Sequence, residues 1–221
     1  MQEFSFNNIK IRRLGHSSFR IDYFKTIYTD PFRILTQKND ADIILISHNH
    51  FDHFSPEDIN KLIKDETIIF LPPDCLSKMS RFVEKGRTVT LRPGDKIKVF
   101  TDTFIEALPA YNMNKFKAPN KPFHPKENDW MSYMITLEKT KIFFAGDTDF
   151  IPELRGIKAD IAIVPVSGHY VMTPQEAAEF VTAVHPKIAI PMHYGEIVGT
   201  NEDAEKFKSL VRSQVVILEK S

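Results

Sequence analysis

The stretch Ser47-His48-Asn49-His50-Phe51-Asp52-His53 decides how the rest of this chain is read. It packs three of the chain's 8 histidines into six residues, where a random window of that size would hold about 0.2. The run Ile43-Ile44-Leu45-Ile46 precedes it and is continuously apolar, as a strand covered on both faces would be. Ser55-Pro56-Glu57-Asp58 follows and reads as a helix start, with Ser as N-cap and Pro at the first helical position. The strand fixes where the turn begins and the helix fixes where it ends. In extended backbone, residues two apart face the same side, so His48 and His50 can converge on one ion. Asp52 and His53 come after the turn and can face a neighbouring one. Imidazole and carboxylate donors suit Zn, Mn or Fe. A polar turn with solvated histidines is the plainer alternative, and the density of ligand-type residues weighs against it.

Composition narrows the field. The chain has 221 residues, 42% of them hydrophobic and 26% charged, which excludes a disordered chain. Lys plus Arg equals Asp plus Glu at 29 each, which argues against a nucleic-acid partner. The length supports one domain over residues 1–221. With Cys75 as the single cysteine there is no internal disulfide, and a reducing, cytoplasmic setting is expected. The N-terminal residues show no apolar segment behind a basic start. The longest apolar runs, near 43–46 and 161–166, fall far short of the ~20 residues that cross a membrane.

Along the chain, β-like segments at 9–14, 18–23, 26–29, 43–46 and 67–71 are followed by a helix over 74–84. More strands are predicted at 88–91, 96–100 and 103–108. Segments 132–137 and 141–145 read as a hairpin, 160–166 as a buried strand, and 187–191 and 215–218 as further strands. Thr173-Pro174-Gln175-Glu176 is a capping box opening a helix to about His185, whose charge complements the dipole. Another helix is predicted over 203–212. Helices lie among the strands of both halves. That pattern fits an α+β class fold, two β-sheets flanked by helices, better than a doubly wound sheet. Residues 109–129 hold four prolines and four lysines and read as one long ordered loop or lid.

His48-x-His50-x-Asp52-His53 resembles the signature of the metallo-β-lactamase fold, which is a four-layer αββα sandwich of two mixed sheets. Ala145-Gly146-Asp147-Thr148 is similar to that family's Gly-Asp segment, and Pro191-Met192-His193-Tyr194-Gly195 to the segment carrying its last metal histidine. Gly15-His16-Ser17-Ser18-Phe19, Thr29-Asp30-Pro31 and Pro109-Ala110-Tyr111-Asn112 resemble the branch of metal-dependent hydrolases similar to ascorbate-6-phosphate lactonases. The resemblance implies one or two divalent ions, Zn above all with Mn or Fe also suited. It implies His48, His50, Asp52, His53, Asp147 and His193 as ligands, with Asp147 bridging. The residues read alone agree: apolar strands end just before His48, Asp147 and His193, and strand ends are rigid platforms.

One position departs from the pattern. Where the wider family places a further histidine, this chain reads Pro109-Ala110-Tyr111-Asn112. His124, in the long loop, is the candidate replacement ligand. His16, His169 and Tyr111 are candidate substrate contacts, each with a plain loop or packing role as the alternative. Asp30 is a candidate to orient a ligand histidine, or a turn residue before Pro31.

The expected activity is hydrolysis by a metal-activated water. Asp147 and Asp52 are the catalytic carboxylates, and Asp52 is also placed to relay a proton to the leaving group. The expected partner is a small-molecule substrate: an ester, a lactone or a phosphodiester. Lys115, Lys117, Lys121 and Lys126 outnumber Glu127 and Asp129, which would favour an anionic substrate if the loop closed over the metals. A solvated loop explains the same charges. Tyr111, Phe116, Phe123 and Trp130 could wall a pocket or pin the loop. A nuclease or phosphodiesterase acting on nucleic acid, and a non-hydrolytic di-iron redox protein, are the alternatives. No membrane association is expected, and a homo-oligomer is compatible with the sequence.

Overall fold

The computed structural model describes residues 2–83 and 85–221. Met1 and Glu84, the latter closing the helix predicted over 74–84, lie outside them. The chain divides into two compact units: one runs up to Leu91 and includes Leu218–Ser221, the other is Arg92–Ile217.

The first unit is built on a seven-stranded sheet in chain order: β1 (Phe4–Phe6), β2 (Ile9–Gly15), β3 (Ser18–Asp22), β4 (Thr26–Thr29), β5 (Ile43–Leu45), β6 (Ile68–Leu71) and β7 (Arg87–Thr90). Strands β1 to β4 pair antiparallel. From β4 onward the pairing is parallel. The parallel strands need crossovers, which α1 (Pro56–Leu62) and α2 (Leu76–Phe82) supply. Ser55 caps α1, its Oγ accepting from Asp58 N at 3.3 Å. Ile59 and Leu62 of α1 bury against Tyr28, Ile44, Ile46 and Ile69 of the sheet.

The second unit repeats the plan. Strands β8 (Lys96–Phe100), β9 (Thr103–Pro109), β12 (Met131–Leu137) and β13 (Thr140–Phe144) pair antiparallel. Strands β14 (Ile161–Pro165), β15 (Ile188–Met192) and β16 (Gln214–Val215) continue in parallel from β13. Helices α3 (Pro174–Val184) and α4 (Asn201–Leu210) form the crossovers. The capping box at Thr173 and Glu176 is present at both ends, at 3.2 and 2.8 Å. Two mixed sheets with four α-helices, counted among the described residues, make the α+β class expected.

Three segments differ from their sequence reading. Residues 109–129, read as one long ordered loop or lid, have secondary structure of their own. They contain a hairpin, β10 (Phe116–Ala118) with β11 (Lys121–Pro122), because Asn120 at φ 58° supplies the left-handed turn. The helix predicted from 74 starts as a tight 3-10 turn, Pro73–Cys75, because Pro72-Pro73 fixes the entry, and turns α-helical at Leu76. Helix α4 begins at Asn201, ahead of the predicted 203, because Asp203 reaches back to accept from Thr200 N at 2.8 Å. Strand β1 had no sequence reading. No described helix is long and apolar enough to cross a membrane.

In each sheet one strand marks the change from antiparallel to parallel pairing, β4 in the first and β13 in the second. Asp30 follows the one and Asp147 follows the other. Carboxyl ends at such a switch are where crossovers diverge and leave room for a site.

Candidate metal centre

In the first unit the cluster is assembled around Asp30. This residue is fully buried, at φ 39°, with its N–H bonded to Leu45 O at 2.9 Å. Its Oδ1 accepts from Ser47 N at 2.7 Å, and its Oδ2 from Ser47 Oγ at 2.6 Å and His53 Nδ1 at 2.7 Å. Burial pushes the Asp30 carboxyl up, opposed by the His53 and Ser47 hydrogen bonds.

Donor accounting then fixes two tautomers. Ser47 has one hydroxyl proton and gives it to Asp30. Its oxygen, 2.8 Å from His48 Nδ1, must therefore accept from that nitrogen. His48 and His53 both carry the proton on Nδ1 and direct the Nε2 lone pair away from their anchors. Their ring centres lie 4.1 Å apart. His48 Nε2 stands 3.1 Å from His50 Nδ1, and His53 Nε2 3.7 Å from Asp52 Oδ2. Asp30, His48 and His53 each offer a donor atom within 4.8 Å of the others. Because both Asp30 oxygens already accept hydrogen bonds, we read Asp30 as the anchor and the histidines as ligands. The converging imidazole nitrogens and the Asp52 oxygen form a hard-to-borderline N/O set without thiolate, which fits Zn, Mn or Fe.

In the second unit the centre is Asp147, buried in the turn after β13, where Gly146 takes φ 58°. Asp147 Oδ2 lies 3.2 Å from His124 Nε2 and 3.1 Å from His193 Nε2. His124 donates through Nδ1 to Asn112 Oδ1 at 2.8 Å, and its backbone N–H goes to the same oxygen at 2.9 Å. His193 follows β15 at φ 59° with Nδ1 3.0 Å from Ser167 Oγ. A neutral His124 with Nδ1 protonated presents a lone pair to the carboxylate. A cation there, either a proton or a metal ion, balances the arrangement. The donor set fits a metal ion.

The loop carrying His124 is tied to the turn carrying Asp147. Asp149 accepts from Met113 N at 2.6 Å, Asn114 N at 3.0 Å and Asn112 Nδ2 at 3.3 Å, with Lys115 Nζ at 3.2 Å. Lys115 also pairs with Glu176 at 2.8 Å.

The other sequence candidates are placed as follows. His16 is fully buried, with Nε2 3.1 Å from Asp52 Oδ2. Tyr111 is buried. Its hydroxyl donates to Glu153 at 2.8 Å, and its backbone brackets Thr148 and Asp149 at 3.2 and 3.0 Å. His169 is exposed and rests edge-on to Tyr170, ring centres 4.3 Å apart. Sequence reasoning gave no role to Ser47, Asn112, Asp149 or Ser167. Ser47 and Asn112 carried a weak signal, one beside the cluster and the other at the place of the missing histidine. Ser167 and Asp149 carried none. Cys75 is buried, and burial raises its thiol far from reactive range, so it takes no part in the chemistry.

Comparison with known proteins shows the family and the fold. The family model of a beta-lactamase superfamily domain matches residues 10–193. A metal-dependent hydrolase of Thermoplasma acidophilum is 31% identical over 215 residues, spanning 92% of this chain and 91% of its own. A crystal structure from Parabacteroides distasonis, described as a metal-dependent hydrolase, superposes with a TM-score of 0.83. It is 32% identical and covers 100% of this chain and 99% of its own. Igni18, a metallo hydrolase of Ignicoccus hospitalis, shares the fold at a TM-score of 0.75 and 21% identity, covering 96% of each chain. With two mixed sheets, His/Asp clusters at their strand ends, and a family match over most of its length, the chain belongs to the beta-lactamase superfamily and has the metallo-β-lactamase fold.

Proposed function

We propose that this protein is a metal-dependent hydrolase acting on a small ester, lactone or phosphodiester. Its ligands are His48, His50, Asp52, His53, Asp147 and His193, with His124 in place of the histidine the wider family carries. The observation that supports this most directly is the orientation of the imidazoles. His48, His53, His124 and His193 each engage a neighbouring oxygen through Nδ1, which leaves Nε2 for coordination. The N/O donor set suits one or two divalent ions: Zn, Mn or Fe.

When bound, the metal supplies a water of lowered pKa and polarises the scissile bond. The remaining chemistry falls to the chain. With a cation balancing the His124 and His193 lone pairs that face it, Asp147 would take the attacking water's proton through Oδ2. Asp52 Oδ2, oriented by His16 Nε2 at 3.1 Å, would relay that proton to the leaving group. A metal-held nucleophile needs no Ser or Cys, in keeping with the inert Cys75. The lysines of the 109–129 segment favour an anionic small-molecule substrate. The single buried cysteine supports a cytoplasmic setting.

The test combines metal analysis with a panel of lactone, phosphodiester and thioester substrates, on the wild type and on His50→Ala and Asp147→Asn. Both variants should lose bound metal and turnover together. A fully active His50→Ala variant would overturn the reading, and cleavage confined to oligonucleotides would replace it with a nuclease.

A further inference from the structure

Phe51 stands inside the ligand motif yet is 64% exposed, between His50 and Asp52. The turn that holds it is closed by His53 N and Phe54 N, both bonded to His50 O at 3.1 and 2.8 Å. Neither bond involves the Phe51 side chain, so the turn itself does not require a large apolar residue there. Leaving a phenyl ring in water forgoes about 25 cal/mol for each Å² it could bury.

The ring is also not isolated. It meets Phe32 edge-on, centres 6.0 Å apart. Phe32 is buried and meets the His16 ring at 6.5 Å, and His16 bonds Asp52. A row of rings thus leads from the proposed proton donor Asp52 outward to solvent. Arg33, next in the chain and exposed, sets its guanidinium 4.9 Å over the Phe32 ring. It holds a left-handed φ of 54° because Asp58 on α1 accepts from Arg33 N at 2.8 Å and Ile34 N at 2.9 Å. The cation is therefore presented from a fixed turn.

We propose that Phe51, Phe32 and Arg33 form a recognition ledge for substrates carrying an aromatic group that ends in a carboxylate or phosphate. This rests on the hydrolase reading above and specifies its substrate class. An aromatic ring stacks on Phe51 and removes its face from water. The guanidinium pairs with the anion at the far end of that ring.

Three anions added to the metal-loaded full chain separate the contributions by calorimetry: acetate, phenylacetate and 4-carboxyphenylacetate. Phenylacetate should bind about tenfold tighter than acetate, the size expected from burying one ring face. The second carboxylate should add about threefold, the size of an exposed ion pair. Phe51→Ala should erase the first preference and Arg33→Gln the second, with metal bound per chain unchanged in both. Matched methyl and aryl esters should show the same preference in kcat/KM. Equal binding of acetate and phenylacetate, or an unchanged preference in Phe51→Ala, would overturn the ledge. Hydrolysis without aryl preference rejects the ledge alone. Aryl preference in binding with no hydrolysis of any ester, lactone or phosphodiester rejects the hydrolase reading alone.

Discussion

Asn112 Oδ1 accepts both the backbone N–H and the Nδ1–H of His124, at 2.9 and 2.8 Å, and so fixes the position and the tautomer of that histidine at once. Removing the amide should free the ring to turn. Asn112→Ala should weaken metal binding about 10- to 100-fold, as loss of such a partner does in other metal sites. Trp130, the only tryptophan, lies 5.5 Å from the His124 ring and reports the change by fluorescence during metal titration. An unchanged titration curve would show that His124 does not depend on Asn112.

Asp30 serves the same purpose in the first unit but with greater structural weight. Asp30→Ala leaves Ser47 N, Ser47 Oγ and His53 Nδ1 buried without their acceptor. We expect a loss of about 3–5 kcal/mol in the stability of the metal-free protein, measured by denaturant unfolding. Metal occupancy should fall as well, since His53 loses the partner that orients it.

Gly199 lies against the anchor of His193. A Cβ at this position would come within 2.6 Å of Ser167 Cβ, and its φ of 69° strains any side chain. Ser167 is the residue that holds His193 Nδ1. Gly199→Ala should therefore displace Ser167 and lower metal affinity, although residue 199 offers no ligand atom. Equilibrium dialysis against a chelator series would detect the change.

Glu176 couples pH to the anchoring of the 109–129 segment. Burial pushes its carboxyl up, but hydrogen bonds from Lys115, Thr173 N and Asn114 outweigh this and hold it below its usual 4.5. A carboxyl lowered in the folded state adds stability that is fully present above its unfolded value and is lost as pH falls through the folded one. Stability of the metal-free protein should drop below pH 4.5 by more in the wild type than in Glu176→Gln. Parallel pH dependences would assign the drop to other carboxyls.

Metal itself should stabilise the fold, because both clusters bring polar donors together in buried turns. At a free metal concentration about 100 times Kd the gain is about 2.7 kcal/mol. For a chain of this size that corresponds to a rise in Tm of about 5–10 °C, reversed by a chelator. A Tm indifferent to chelation would count against metal binding by the native protein.

Much of the fold was legible because its signals are local. Ser55-Pro56 and Thr173-Pro174-Gln175-Glu176 start helices where they were read, since a cap is a contact between residues three apart. Apolar runs found the buried strands to within one or two residues. The strand read at 215–218 pairs only at Gln214–Val215, because Leu218 already belongs to the first unit. The hairpin within 109–129 escaped because its strands are two or three residues long and mostly exposed, without alternation.

The sequence by itself determined the donor chemistry of the candidate site: a run of His and Asp after an apolar strand, two further strand ends with Asp147 and His193, and no thiolate. Those are short-range patterns, written in residues that are neighbours along the chain. Only the tertiary structure decided which nitrogen each histidine offers and what holds it there. Asp30 and His53 are 23 residues apart, Ser167 and His193 are 26 apart, and their pairings depend on strand order, which local pattern does not encode. The sequence proposed His124, and the fold set it against Asp147 because Asn112 and Asp149 tie its loop to the turn after β13.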